Sequence, residues 1–226
     1  MLYIVSTPIG NLKDITQRAL EVLRSSDIIV SESVSDTMRL LNAYDIRNKK
    51  ILKYNDQNKK TAQRAIVSLC MEKNVAYVTS AGTPSISDPG ADLVTAARDA
   101  GSVVNVVPGP SALVSAIAAS GFRARQFTFV SFPPRKEGPL SRLFMEKSSD
   151  PDTLLVFFES PFRIVKTLRV MERSIPAARV CVAKEITKLF ENYLMGTPTE
   201  LLELFEKDKK MLKGEFTIVI SFASRV

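Results

Sequence analysis

The sequence contains no histidine and no tryptophan, and only two cysteines in 226 residues. Without histidine there are no imidazole general bases, no imidazole metal ligands and no serine-histidine-aspartate relay. Any catalysis then rests on Lys, Asp, Glu, Tyr or on positioning alone. Cys70 and Cys181 stand far apart in apolar settings, so reduced core thiols are expected rather than a disulfide or a metal pair. No apolar run reaches the roughly eighteen residues a membrane helix needs, and Met1-Leu-Tyr-Ile-Val-Ser6 has no basic leader, so a soluble cytoplasmic protein is expected, with no membrane partner. Paired carboxylates at ligand spacing are sparse, and no metal site is expected.

What is present is an alternation of short apolar runs with amphipathic stretches. Strands are expected at Leu2–Val5, 28–30, 51–54, 75–79 and 103–107, separated by helices over about 15–25, after Glu32, 61–73 and 91–100, with an Ala-rich helix running to Ser120. That order predicts an α/β domain with a mostly parallel sheet. Asp14 is expected to cap the first helix and Asp88 the helix that follows the fourth strand. Residues 121–126 read as a connection, giving domains at 1–120 and 121–226. The second half offers strands at 127–132, 153–158, 179–184, 191–195 and 216–222 and helices around 164–175 and 199–207, with Pro198 in the first turn of the latter. Strands 179–184 and 191–195 are joined too briefly for a helical crossover, so this sheet should be mixed.

Three of the first domain's connections are stiff and polar: Ser6-Thr-Pro-Ile-Gly-Asn11, Ser80-Ala-Gly-Thr-Pro-Ser-Ile-Ser-Asp-Pro-Gly90 and Pro108-Gly-Pro-Ser111. Each follows the carboxyl end of a strand, where open parallel sheets hold ligands. Glycine permits close backbone approach and proline lowers the entropy of ordering the loop. The plain alternative is an ordinary strand-to-helix connection. Neither the dinucleotide fingerprint nor the phosphate-cradling P-loop signature is present, so these loops suit a small ligand gripped mainly by backbone groups.

The net charge is +7, with basic regions at Lys49–Arg64, at Arg135, Lys136, Arg142 and Lys147, and at Lys207–Lys213. An anionic partner is compatible with this, as is a set of solvated helix faces.

Taken together, Thr7-Pro-Ile-Gly-Asn-Leu-Lys-Asp-Ile-Thr16, Ala81–Gly90, Pro108-Gly-Pro-Ser-Ala112, Phe158-Glu-Ser-Pro-Phe-Arg163, Lys184-Glu-Ile-Thr-Lys-Leu-Phe-Glu191 and Lys213-Gly-Glu-Phe216 resemble the tetrapyrrole-methylase-fold (class III) methyltransferases, in particular their 16S ribosomal RNA (cytidine-2′-O)-methyltransferase branch. The motifs run in register across nearly the whole chain. The chain carries its own residues at Glu32-Ser-Val-Ser-Asp36, Tyr54-Asn-Asp-Gln-Asn58 and Thr79-Ser80, where the branch usually has others. The resemblance implies two α/β domains with a cofactor cleft between them, a homodimer, S-adenosylmethionine as cofactor, and 16S rRNA of the small ribosomal subunit as partner. It assigns the cofactor to Pro8, Ser80, Ala81, Gly82, Thr83, Asp88, Ser111, Ala112, Phe158, Ala183, Lys184 and Gly214. Substrate contacts fall to Asn11, Arg135, Lys136 and Arg163, the last on a phosphate or at the domain interface.

A ribose hydroxyl needs help in losing its proton. With histidine excluded, Glu185, Lys188 and Glu32 are the catalytic candidates, beside Lys184 and Glu159. The competing reading of Glu185 and Lys188 is a structural ion pair. A same-fold methyltransferase acting on a tetrapyrrole or corrinoid precursor or on a protein, and a non-catalytic descendant, remain as alternatives.

Overall fold

A computed structural model describes residues 1–123 and 125–223. The chain forms two compact units, Met1–Ser111 and the chain from Ala112 onward.

The first unit holds strands β1 (Leu2–Val5), β2 (Ile28–Ser31), β3 (Lys50–Lys53), β4 (Val75–Val78) and β5 (Val104–Val107), alternating with helices α1 (Gln17–Ser25), α2 (Val34–Ala43), α3 (Lys59–Glu72) and α4 (Gly90–Asp99). Its sheet is wholly parallel, in the order β3-β2-β4-β1-β5. The central strands read as continuous apolar runs because both faces are covered. Ile28, Val30, Val75 and Tyr77 face α3 and α4 with Ile66, Cys70 and Leu93, whereas Ile29, Ala76 and Val78 face the other side with Ala19, Leu23, Leu40 and Leu41. The first helix starts later than expected: Thr16 accepts from the Ala19 N–H as N-cap, while Asp14 ends a short 3-10 turn at Leu12–Asp14.

The second unit contains α5 (Ala112–Ser120), β6 (Gln126–Phe129), α6 (Glu137–Lys147), β7 (Thr153–Glu159), α7 (Ile164–Ser174), β8 (Arg179–Lys184), β9 (Asn192–Gly196), α8 (Pro198–Lys207) and β10 (Phe216–Ser221). Its sheet runs β6-β7-β10-β8-β9, with β6 and β7 parallel and the remaining pairs antiparallel. The expected division at 120/121 falls at the far end of α5. That helix packs on β7, β8, β9 and β10, so it covers the second sheet. Being almost uniformly apolar, it carries no face that says in advance which sheet it serves.

One α-helix has no counterpart in the sequence expectations, namely α6. Gly138 and Pro139 interrupt its pattern, yet both lie in its first turn, where proline costs no intrahelical hydrogen bond. Leu140 and Phe144 carry its buried side onto Phe157 and α7. Strand β6 also stops short of the expected Phe132, because Ser131 turns to φ +54°. Among the described residues no helix is long and apolar enough to cross a membrane, and no group of three or more acidic or cysteine side chains is placed to hold a metal.

Candidate active site

The three expected loops follow β4, β1 and β5, which are neighbours in one parallel sheet, so they emerge side by side at its carboxyl edge. They are also fastened to one another. Thr7 and Gly82 exchange backbone hydrogen bonds at 2.9 and 3.0 Å. Ser6 Oγ donates to Thr83 Oγ1 (3.1 Å), which donates onward to the Pro110 carbonyl (3.2 Å), linking all three loops through two hydroxyls. Gly82 sits at φ +80° with an added Cβ 3.3 Å from Ile9 Cγ2, and a Cβ on Gly109 would lie 2.9 Å from that of Ser6. Both glycines are therefore required by close approach between loops.

Asp88 organises the longest of the three. Its Oδ1 accepts from the Gly90 N–H (2.7 Å) and from the hydroxyl of Tyr77 (3.0 Å), which is buried in β4; the N-cap position of α4 itself falls to Pro89, without a side-chain cap, and not to Asp88 as expected. Burial pushes the Asp88 carboxyl above its ordinary range, against the opposing pull of those two donors and of the Ser85 N–H. Its Oδ2 and the nearby Ser85 Oγ are buried and have no hydrogen-bond partner. Ser85 and Ser87 both sit in the left-handed region, at φ +72° and +71°. A loop that stores such conformations while leaving two buried polar atoms unmatched is suited to a ligand that supplies the missing donors and acceptors.

Glu32 stands at the same edge, directly after β2. Its Oε2 accepts from Thr79 Oγ1 (2.7 Å), Ser80 Oγ (3.2 Å) and the Ser80 N–H (3.3 Å). This carboxylate braces the start of the loop through three donors. Pro8 and Thr83 are half-buried, Ser80 and Ala81 exposed, and Ser111 and Ala112 close the third loop half-buried. Asn11 is exposed, and its Oδ1 accepts from the Lys13 N–H at the head of the 3-10 turn.

In the second unit the strand register brings Glu159, Phe216, Lys184 and Asn192 into one row across β7, β10, β8 and β9. The turn after β8 is built on two left-handed residues, Glu185 (φ +52°) and Thr187 (φ +65°). Here the Glu185 N–H donates to the Glu215 carbonyl (2.9 Å), and the Glu185 Oε1 accepts from the Glu215 N–H (2.9 Å) and from Lys188 Nζ (2.9 Å). Lys188 Nζ also reaches Glu215 Oε2 at 3.0 Å. Burial alone raises the Glu185 carboxyl, but the bonds from Lys188 and the Glu215 N–H together hold it below the usual range. Burial likewise lowers the Lys188 ammonium, and its two carboxylate partners hold it above the usual range. The pair is thus fixed in its charged state. Glu215 completes it, a residue that sequence reading passed over although it lies in the Lys213-Gly-Glu-Phe216 motif.

Lys184 and Ala183 are buried at the end of β8, and among the described residues Lys184 Nζ has no ion-pair partner. Phe158 is half-buried, with Phe129 and Phe132 against its ring at centroid distances of 5.1 and 5.8 Å. Glu159 is buried and hydrogen-bonded, and Arg163 is drawn onto it (Nε to Oε1, 3.4 Å) rather than presented to solvent. Arg135 and Lys136 are exposed.

Against known proteins, residues 1–202 match the family described as Tetrapyrrole (Corrin/Porphyrin) Methylases. The sequence is 45% identical to "Ribosomal RNA small subunit methyltransferase I" of Thermotoga maritima over 97% of each chain. It is 38% identical to the protein of the same name from Hydrogenobaculum sp., over 97% of this chain and 95% of that one. Among solved structures it resembles cobalt precorrin-4 methyltransferase (TM-score 0.70, 18% identity, 98% of this chain and 94% of the other) and diphthine synthase (TM-score 0.71, 14% identity, 97% and 89%). At those identities the two structures speak for the fold alone.

Proposed function

Because the chain belongs to the tetrapyrrole (corrin/porphyrin) methylase family and is a methyltransferase, we propose that it transfers a methyl group from S-adenosylmethionine to the ribose 2′-hydroxyl of a cytidine in the 16S rRNA of the small ribosomal subunit. The observation that carries this reading is the near full-length likeness to relatives named as small-subunit rRNA methyltransferases, since it spans both units. A ribosomal substrate places the reaction in the cytoplasm.

The residues at the first edge fit the cofactor. Asp88 Oδ2 and Ser85 Oγ are buried polar atoms without partners, and a nucleoside's hydroxyls supply both donors and acceptors. Gly82 and Gly109 keep side chains out of the space between loops, and the backbone of Ser80–Thr83 with Pro8, Ser111 and Ala112 offers carbonyls and amides. The family resemblance also assigns Phe158, Ala183, Lys184 and Gly214 of the second unit to the cofactor. When bound, S-adenosylmethionine supplies an electrophilic methyl on a sulfonium, a soft cation best served by oxygen dipoles and aromatic faces.

Methyl transfer to oxygen is an in-line displacement, so alignment of the hydroxyl contributes much of the rate. Glu185 holds its carboxylate charged and oriented, and takes the proton that the attacking hydroxyl gives up as its oxygen gains the methyl group. Lys188, charged beside it, stabilises negative charge growing on the oxygen. Glu32 keeps the loop start in place. Arg135 and Lys136 face the RNA backbone. Calorimetry with S-adenosylhomocysteine, followed by methyl transfer to small subunits from cells lacking the modification, tests the proposal. Tight binding with transfer to a single cytidine ribose is expected. Binding without transfer to RNA would move the acceptor to another substrate, and no binding would overturn the reading.

A homodimer belongs to the same proposal. Phe162, Leu189 and Phe190, just past the ends of β7 and β8, are 96%, 89% and 70% exposed. A second copy of the chain is the proposed cover. Sedimentation should give a dimer, and the double substitution Phe162→Asp, Phe190→Asp should give a monomer. An unchanged mass in the variant would place the interface elsewhere.

A further inference from the structure

Arg163 is positioned to act through its neighbours. Strand β7 ends in Glu159, whose side chain is 0% exposed. Thr167 Oγ1 donates to its Oε2 (2.6 Å), the Ser160 N–H donates to Oε1 (2.7 Å), and Arg163 Nε lies 3.4 Å from the same oxygen. A carboxylate so far from water requires a cation, which fixes one side of the guanidinium. The other side is occupied as well, since Nη2 donates to two successive carbonyls, Pro133 (3.0 Å) and Pro134 (3.1 Å).

Those two residues have no N–H, so this stretch has no amides of its own with which to hold its course. It depends on outside donors. Just upstream, the Phe158 N–H donates to the Ser131 carbonyl (2.7 Å) where Ser131 takes φ +54°, and the Phe132 ring leans on Phe158. The end of β7 therefore fastens the loop at 131 and again at 133–134. Immediately afterwards come Arg135 and Lys136, both exposed, with Lys136 leading into α6.

We infer that Arg163 is a positioning residue for RNA: it buckles the 131–136 loop to the end of β7 so that Arg135 and Lys136 are presented to the RNA backbone, and does not itself touch the RNA. The inference rests on the RNA reading above and deepens it. It replaces the expectation that Arg163 binds phosphate directly, because Nε and Nη2 are already engaged within the second unit.

Arg163→Lys separates the two roles. Lysine keeps the charge opposite Glu159, and would largely keep a phosphate contact, but it has no fork with which to span two carbonyls. In the full-length protein, trypsin cleavage at Arg135 and Lys136 should accelerate about tenfold relative to cleavage elsewhere in the chain. The KM for small subunits should rise about 5- to 20-fold, with a smaller change in kcat. Arg135→Ala with Lys136→Ala should lower the log-log salt slope of RNA binding by about two in the parent protein and by clearly less in the Arg163→Lys background. Losses that simply multiply would make Arg163 an independent contact and overturn the inference. So would an Arg163→Lys protein with unchanged trypsin sensitivity and RNA binding. Should that variant not fold, Glu159→Gln with Arg163→Gln removes both buried charges and carries the same expectations. A parent protein that does not bind RNA would defeat the RNA reading, and the trypsin measurement would still report on the buckle.

Discussion

Gly90→Ala is expected to weaken S-adenosylhomocysteine binding by about 10- to 150-fold, the scale of one or two lost hydrogen bonds to a charged group. Its backbone angle is ordinary, so the effect is one of space. A Cβ at this position would lie 2.4 Å from Tyr77 Cε1, 2.7 Å from Asp88 Oδ1 and 2.9 Å from Ser85 Oγ. The Tyr77 ring cannot withdraw, because it is fully buried and packs edge-on against buried Tyr54 at 6.0 Å. Asp88 and Ser85 must therefore give way, and these carry the unmatched polar atoms offered to the cofactor. Overpacking of this kind costs about 1–3 kcal/mol, so the melting temperature should fall by roughly 3–10 °C. Gly138→Ala is the control: a Cβ there meets nothing within 4 Å, and the change should be neutral or slightly stabilising. Parent-like binding by Gly90→Ala would remove this loop from the cofactor site.

The same carboxylate gives a pH signature. Burial holds Asp88 above its ordinary range, so its charged form is disfavoured in the free protein. A ligand hydroxyl donating to Oδ2 favours that charged form. Affinity should then weaken as pH falls through the raised value, and Asp88→Asn should remove the dependence.

These relations bear on what a sequence can disclose. The parallel sheet was legible because Ile28–Val30 and Val75–Val78 are buried on both faces and read as unbroken apolar runs. The three loops were legible because Gly and Pro follow strand ends directly, and their meeting at one edge follows from the parallel order. The partners were not legible. Nothing local says that Thr83 will bridge Ser6 and Pro110, or that Tyr77 will bond Asp88, since these contacts depend on strand neighbours distant in the chain. Arg163 shows the same gap: it stands four positions after Glu159, but the burial that draws the two together comes from the whole second core. Helix α6 was hidden for a local reason, two helix-breaking residues at its start.

Glu185→Gln is expected to lower kcat by about 10²–10⁴-fold, the range for loss of a general acid-base group, with little change in the KM for S-adenosylmethionine. The side chain keeps its shape and loses the charge that holds Lys188. Glu185 has its pKa depressed, so its contribution to stability is complete above the unfolded value and disappears as pH falls through the folded one; Lys188 has its pKa raised, so its contribution is complete below the unfolded value and is lost as pH rises through the folded one. Both stay charged across neutrality. The kcat profile of the parent protein should accordingly show no break from this pair between about pH 6 and 9. Gly214→Ala probes the same site by geometry: at φ +102° its Cβ would lie 2.5 Å from Glu185 Cγ and 2.7 Å from Oε1, displacing the carboxylate without removing it. A comparable fall in kcat is expected, with an added loss of stability from the positive φ. If Glu185→Gln retained its rate within about threefold, too small a loss for a general base, the ion pair would serve the fold alone. The proton would then have to be taken elsewhere, and Lys184, buried one residue away with no ion-pair partner among the described residues, would be the group to replace next.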